Sequence, residues 1–365
     1  MTLLSSERRG PVPDHLSSGK VTTAVNLTIV AISVILAAAV VTLTTGFKIG
    51  WIFLLAIVIY VAGIYLAASV LEDSRKAKDR LATVILRSSF VLVIVPLVSV
   101  TWTVVTKGLA RFDTTFFTHT MALSLDELIS SQAGEVVGGA QHAIVGTLIV
   151  TGLATVFSVP IGLFTAIYLV EYGKGRLARS ITAIVDVMTG IPSIVAGLFA
   201  YALFALIFGP GTLNGLSGAI ALTTLMTPVV VRSTEEMLRL VPNELREASY
   251  ALGVQKWLTI IKVVLPTGIA GILTGVTLAI ARVIGETAPL LIAAGMSQGT
   301  TINPLAGRMT TLPVFTYLNY KFPSQPTGAA IDRAWAAALT LVVIIAILFT
   351  TARLLSNLLK PAGLR

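Results

Sequence analysis

The sequence contains no cysteine, which excludes a disulfide framework, a thiolate metal site and a thiol nucleophile. Its 3 histidines, His15, His119 and His142, stand apart without metal-ligand spacing, so neither a metal centre nor a cofactor is expected. No G-x-x-x-x-G-K-[ST] stretch occurs, so nucleotide hydrolysis would have to come from another chain. Charge is scarce at 12% and aromatics at 7%, against 55% hydrophobic residues and a mean hydropathy of +0.90, which excludes a soluble globule. What is present is an all-α polytopic membrane protein. Its net charge of +9 is read as positive cytoplasmic loops rather than as a nucleic-acid surface.

Residues 1–22 are polar, with Pro11, Pro13 and several serines, and are expected to form a disordered cytosolic tail. Arg8-Arg9 makes a twin-arginine pair, but no cleavage-site pattern follows it. Apolar runs of spanning length follow at about 23–45, 51–71, 84–106, 140–170, 180–208, 215–231, 267–295 and 334–356, which gives eight helices. The runs with Pro160 and Pro192 exceed spanning length, so kinks, tilt or an amphipathic entry segment are expected there. With the N-terminus placed in the cytoplasm, 18 Lys and Arg fall on the inside and 6 on the outside, so both termini are expected to be cytoplasmic. The segment 72–80, EDSRKAKDR, is read as a charged linker. It separates a hairpin and linker, 23–80, from a six-helix core, 81–365. Long outer loops are expected at about 107–139 and 296–333.

A few charges fall within the spans, and these are the informative ones. Arg282 lies in TLAIARVIGETAPLLIAA, with Glu286 four residues on and on the same helical face. The pair would either lock helix packing or line a wet pathway. Arg232 precedes Glu235 by three residues and Glu236 by four, at the cytoplasmic end of 215–231. These charges either mark the membrane exit or join Thr223, Thr224 and Thr227, beside Pro228, in a polar path. Asp186 is a third, weaker candidate. Arginines offset by carboxylates, with hydroxyls nearby and few aromatics, suit a tetrahedral oxyanion such as phosphate or sulfate.

The segment Val241–Pro266, VPNELREASYALGVQKWLTIIKVVLP, is a polar island of helical pattern. Glu244 and Glu247 share one face, next to a small apolar face of Leu245, Ala248 and Leu252. Gly253 stops the helix. Trp257–Val264 reads as a second amphipathic segment with Lys256 and Lys262 near the lipid headgroups, closed by Leu265-Pro266. An ordinary juxtamembrane loop would share much of this pattern. The segment also resembles the EAA loop of ABC-importer permeases, which docks on the ATP-binding subunit. Glu247, Ala248 and Gly253 match E-A-A-x-x-x-G, while Ser249 departs from the second alanine.

Thr189–Gly197, Thr227–Glu235, this segment and Ala281–Pro289 together resemble the permease family of phosphate-specific ABC importers, in particular its A-type subunit, over roughly residues 85–356. The resemblance implies a type I ABC importer (MetI-like) permease core of six helices, to which the N-terminal hairpin is an addition. It implies that Arg232, Glu235 and Arg282 serve phosphate passage, and that Glu244, Glu247, Ala248 and Gly253, within a docking loop 235–266, meet the ATPase. It implies alternating access across a bacterial cytoplasmic membrane, with a second permease subunit, a dimer of ATP-binding subunits and an extracytoplasmic phosphate-binding protein as partners. Glu286 and Thr227 join the pathway set on position alone, and no residue is assigned a catalytic role. Sulfate or molybdate import is the alternative within this class, and a stand-alone anion channel or secondary carrier the alternative outside it.

Overall fold

The computed structural model describes residues 21–72, 74–123 and 137–359, and every regular element among them is helical. The expected disordered tail falls almost wholly on residues 1–20, outside the described residues, as do 124–136 of the first outer loop and 360–365. The described residues divide into two compact units, the first ending at Trp102 and the second beginning at Thr103.

The first unit holds α1 (Thr23–Thr45), α2 (Ile49–Leu71) and most of α3 (Ser74–Gly108). Residues 21 and 22, expected in the tail, belong to this fold: the Thr22 hydroxyl caps α1 by accepting from the Val25 N–H, and Val21 is buried. Most of the expected linker is helix, because α3 starts at Ser74 and carries Arg75, Lys76, Lys78 and Arg80 in its first turns. Between α2 and α3 the Glu72 carboxylate accepts from the Val21 N–H at 2.8 Å and from Arg80 Nε and Nη2 at 2.6 and 2.7 Å. Those hydrogen bonds, Arg80 first and Val21 second, hold the Glu72 carboxyl below its ordinary range. This lock therefore stabilises the fold above the ordinary carboxylate pKa and is lost as pH falls through the depressed value.

In the second unit α4 (Thr114–Thr118) and α5 (Gln141–Ile167) are followed by α6 (Gly175–Thr189), α7 (Ser193–Phe208) and α8 (Gly215–Arg239). Then come α9 (Asn243–Ala251), α10 (Lys256–Thr259), α11 (Leu265–Val283), α12 (Ala288–Ala293), α13 (Leu312–Lys321) and α14 (Thr327–Leu359). The core forms around α8, whose Ala219, Leu222, Met226 and Val230 are fully buried against α5, α11 and α12. Glycines make that approach possible: a Cβ on Gly162 of α5 would meet Val230, and Cβ atoms on Gly271 and Gly275 of α11 would meet Met237 and Ser233. Gly271 and Gly275 form a small-xxx-small stripe, the pattern that lets membrane helices pack closely where lipid offers no hydrophobic drive.

Seven of the described helices are long and apolar enough to cross a membrane, and the pair α6–α7 makes an eighth span only as a bent unit. The expected single helix 180–208 is thus corrected to two helices at 107°. Pro192, which lacks an N–H and forces the preceding residue out of helical geometry, breaks it after Gly190. The run expected at 267–295 also stops early, at Val283, and resumes as the short α12. The expected outer loop 296–333 is in large part folded: α13 buries Leu312, Val314 and Phe315, and α14 begins at Thr327, so Arg333 is a helix residue only 3% exposed. The segment before α13 lies on α5 at Gly146, where a Cβ would come within 2.0 Å of the Thr310 carbonyl oxygen. Gly146→Val is therefore expected to lower stability by about 1–3 kcal/mol, read as a lower Tm of the purified chain.

Candidate substrate pathway and docking hairpin

The bend between α6 and α7 brings Asp186 against α8. There Arg232 donates to the Asp186 carboxylate through Nη2 and to Glu235 Oε2 through Nη1 at 2.9 Å, and Arg239 Nη2 donates to Glu235 Oε1 at 2.8 Å. Two cations and two carboxylates thus alternate, with Glu235 buried and Asp186 open to the surroundings. Asp186, Glu235 and Arg239 border a cleft of about 420 Å³ that is also lined by Arg179 and Thr182. Such partly exposed pairs add little to stability. Their chemical capacity lies in the guanidinium fork of Arg232, which can exchange a carboxylate for another oxyanion.

Arg282 is exposed, with no hydrogen bond or ion pair among the described residues. The expected Arg282–Glu286 pairing is not formed. Helix α11 ends at Val283, so the four-residue spacing no longer follows one helical face, and the half-buried Glu286 donates its N–H to the Val283 carbonyl. The contacts of Gly275 with Ser233 and of Gly271 with Met237 make α8 and α11 antiparallel and set their register. Arg282 therefore lies level with Met226, six residues and about 9 Å along the axis from Arg232. The two arginines occupy successive depths rather than one site. Thr227 is buried, and its hydroxyl is turned to the Thr223 carbonyl at 2.8 Å.

Past α8 the chain forms the hairpin of α9 and α10. Glu244, Glu247 and Ala248 are exposed, as are Leu245 and Leu252 beside them. Gly253 follows α9 at φ +74, a backbone conformation that glycine adopts without strain. The second arm is not closed by Leu265-Pro266, as expected; it runs on through a π-helical turn, Ile260–Val264, into α11. The wider turn puts Pro266 at the start of the next segment, where its missing N–H breaks no ladder.

What braces the hairpin was not legible beforehand. Arg246 of α9 donates twice to Glu171 Oε1, at 2.9 and 3.0 Å, and to the carbonyls of Leu238 at 2.9 Å and Val241 at 2.6 Å. Lys256 donates to the Glu171 carbonyl and lies over the Tyr172 ring at 4.7 Å. Glu171 sits in the π-helical turn Tyr168–Tyr172 that ends α5. Its place in YLVEYGKG was the available signal, a lone acid where an apolar run ends. Ser249, the departure from E-A-A, is buried and shares a 2.8 Å hydrogen bond with Thr259 of the second arm. Ser249→Ala is expected to loosen the hairpin by about 1 kcal/mol without unfolding it, read as faster amide hydrogen exchange in α9.

A core of membrane-length helices, with an exposed acid-bearing hairpin between α8 and α11, is the architecture that the permease resemblance implies. A family model described as "Binding-protein-dependent transport system inner membrane component" matches residues 158–362, and the chain belongs to that family. Within it, the chain is 45% identical over 273 residues to the phosphate transport system permease protein PstA 1 of Mycobacterium tuberculosis (strain ATCC 25618 / H37Rv), covering 74% of this chain and 85% of that one. It is 35% identical over 282 residues to the phosphate transport system permease protein PstA of Yersinia pestis, covering 77% and 90%. Among solved structures it is similar to the MetNI methionine ABC transporter in inward facing conformations, at a TM-score of 0.49 and 20% identity, covering 59% of this chain and 94% of that one.

Proposed function

We propose that the chain is the permease subunit of an ATP-driven phosphate importer in a bacterial cytoplasmic membrane, working by alternating access. The observation that carries the coupling is the position of Arg246. It ties the hairpin both to Glu171 and to the last turn of α8, one residue before Arg239 of the arginine–carboxylate cluster. A push on the hairpin thereby reaches the groups that would meet the anion. Glu244, Glu247, Ala248 and Gly253 form the docking face for a dimer of ATP-binding subunits on the cytoplasmic side, where both termini would also lie.

Thr274, Leu278 and Arg282 are exposed at a four-residue spacing along α11. An unpaired arginine on a spanning helix must face water or a polar partner, so this stripe suits a pathway shared with a second permease subunit. Phosphate, released by an extracytoplasmic binding protein, would meet Arg282 and then Arg232. Asp186 and Glu235 keep Arg232 from holding it too tightly, since conduction needs a site that is easily left. The reading is tested by ATP-dependent uptake of labelled phosphate into vesicles holding the complete complex, challenged with unlabelled phosphate, sulfate and molybdate. Phosphate alone is expected to compete; equal competition by sulfate or molybdate, or uptake without ATP, overturns it.

A further inference from the structure

Apart from the cations of the loops and helix ends there is Arg87, well inside α3 and seven residues beyond Arg80, which puts the two on one face. Arg87 is exposed and has no hydrogen bond or ion pair among the described residues. It lines two cavities of the first unit. One, of about 270 Å³, is polar, bordered by Thr22, Thr23, Asn26, Arg80 and Thr83. The other, of about 360 Å³, is apolar, bordered by Val30, Val34, Phe53, Ala56, Ile57 and Val91. Tyr60 and Arg87 belong to both and mark the seam.

The order from polar to apolar is the same on all three helices. On α1 it runs from Thr22, Thr23 and Asn26 to Val30 and Val34; on α2 from Tyr60 to Ile57 and Phe53; on α3 from Arg80 and Thr83 to Val91. The polar cavity thus lies at the basic end of the helices and the apolar one deeper along them. Charge is also matched for a single negative group. Arg80 is neutralised by its two bonds to Glu72, which leaves Arg87 as the uncompensated cation of the pair. Asn26 Oδ1 accepts from the Tyr60 hydroxyl at 2.9 Å, so its amide N–H groups remain available to donate.

We propose that the α1–α3 unit binds an anionic phospholipid, with the headgroup phosphodiester on Arg87, Asn26 and Thr23 and an acyl chain in the cavity of Val34, Phe53 and Val91. A free phosphate ion would use the polar cavity and leave the apolar one empty; a lipid fills both, in the order in which they occur. Placing the cation of a long side chain at the level of the headgroups, with its stem along apolar surface, is the arrangement by which arginine reaches the interface. The proposal does not depend on what the chain transports.

The test is native mass spectrometry of the full-length chain, equilibrated in mild detergent with phosphatidylglycerol or with phosphatidylcholine. The unmodified chain is expected to retain phosphatidylglycerol about fivefold better, the weight of one basic side chain near a membrane surface. Arg87→Ala should remove the preference, Arg87→Lys keep it, and Val34→Trp, which fills the apolar cavity, reduce retention. Equal retention of the two lipids by the unmodified chain overturns the proposal without recourse to any variant. A preference that survives Arg87→Ala overturns it too. So does displacement of the lipid by millimolar inorganic phosphate together with no effect of Val34→Trp, which would mark a free-anion site.

Discussion

Glu171→Ala is expected to abolish ATP-driven phosphate uptake while the chain remains in the membrane. The Arg246 side chain is 12% exposed and that of Glu171 5%, so removing the carboxylate strands a guanidinium among carbonyls. Breaking a buried pair from one side costs about 3–5 kcal/mol, since the remaining charge stays desolvated. Helix α9 has 9 residues, too few to persist without tertiary contacts, so it should leave its place against α8. The double variant Glu171→Ala/Arg246→Met removes both charges and is expected to be milder than either single change, a non-additivity that simple loss of two contacts does not produce. Copurification of the ATP-binding subunit and uptake should fall together; full uptake by Glu171→Ala would show that the brace plays no part in coupling.

Changing the Arg232 cluster should act on transport itself, and in opposite senses. Asp186, Glu235, Arg232 and Arg239 sum to no net charge. Arg232→Ala leaves the cluster at minus one, which repels an entering anion; uptake is expected to fall by at least about tenfold, the loss of one guanidinium–oxyanion hydrogen-bonded contact. Asp186→Asn leaves it at plus one and frees the Arg232 fork. Phosphate should then be held more tightly and released more slowly, so that KM and kcat both fall. Initial uptake rates over a range of phosphate concentrations separate the two cases. A KM unchanged in Asp186→Asn would remove Asp186 from the pathway.

Most of the helices were legible because spans of apolar residues declare themselves, and the three-residue spacing of Glu244 and Glu247 falls, as read, on one helix, α9, where both are exposed. Local pattern failed where the chain bends. The run 180–208 carries a single charge, Asp186, and its length does not distinguish one long helix from two at 107°, although Pro192 marked the break. That bend is what makes Asp186 a partner of Arg232, so a contact between residues 46 positions apart was beyond reach. The pairing of Arg282 with Glu286 failed for the converse reason, since four-residue spacing has meaning only while the helix continues, and α11 stops at Val283. Glu171 stood out only as a lone acid at the end of an apolar run, and its role was hidden because its partner, Arg246, lies 75 positions on.

The most direct measurement is phosphate uptake by Arg282→Ala in vesicles with the complete, normally assembled complex, read beside ATP hydrolysis in the same vesicles. Among the described residues Arg282 makes no ion pair whose loss would disturb the fold, so a change in uptake reports on the pathway. The account predicts that uptake falls by at least about tenfold while the complex stays assembled. Unchanged uptake with normal assembly would contradict it.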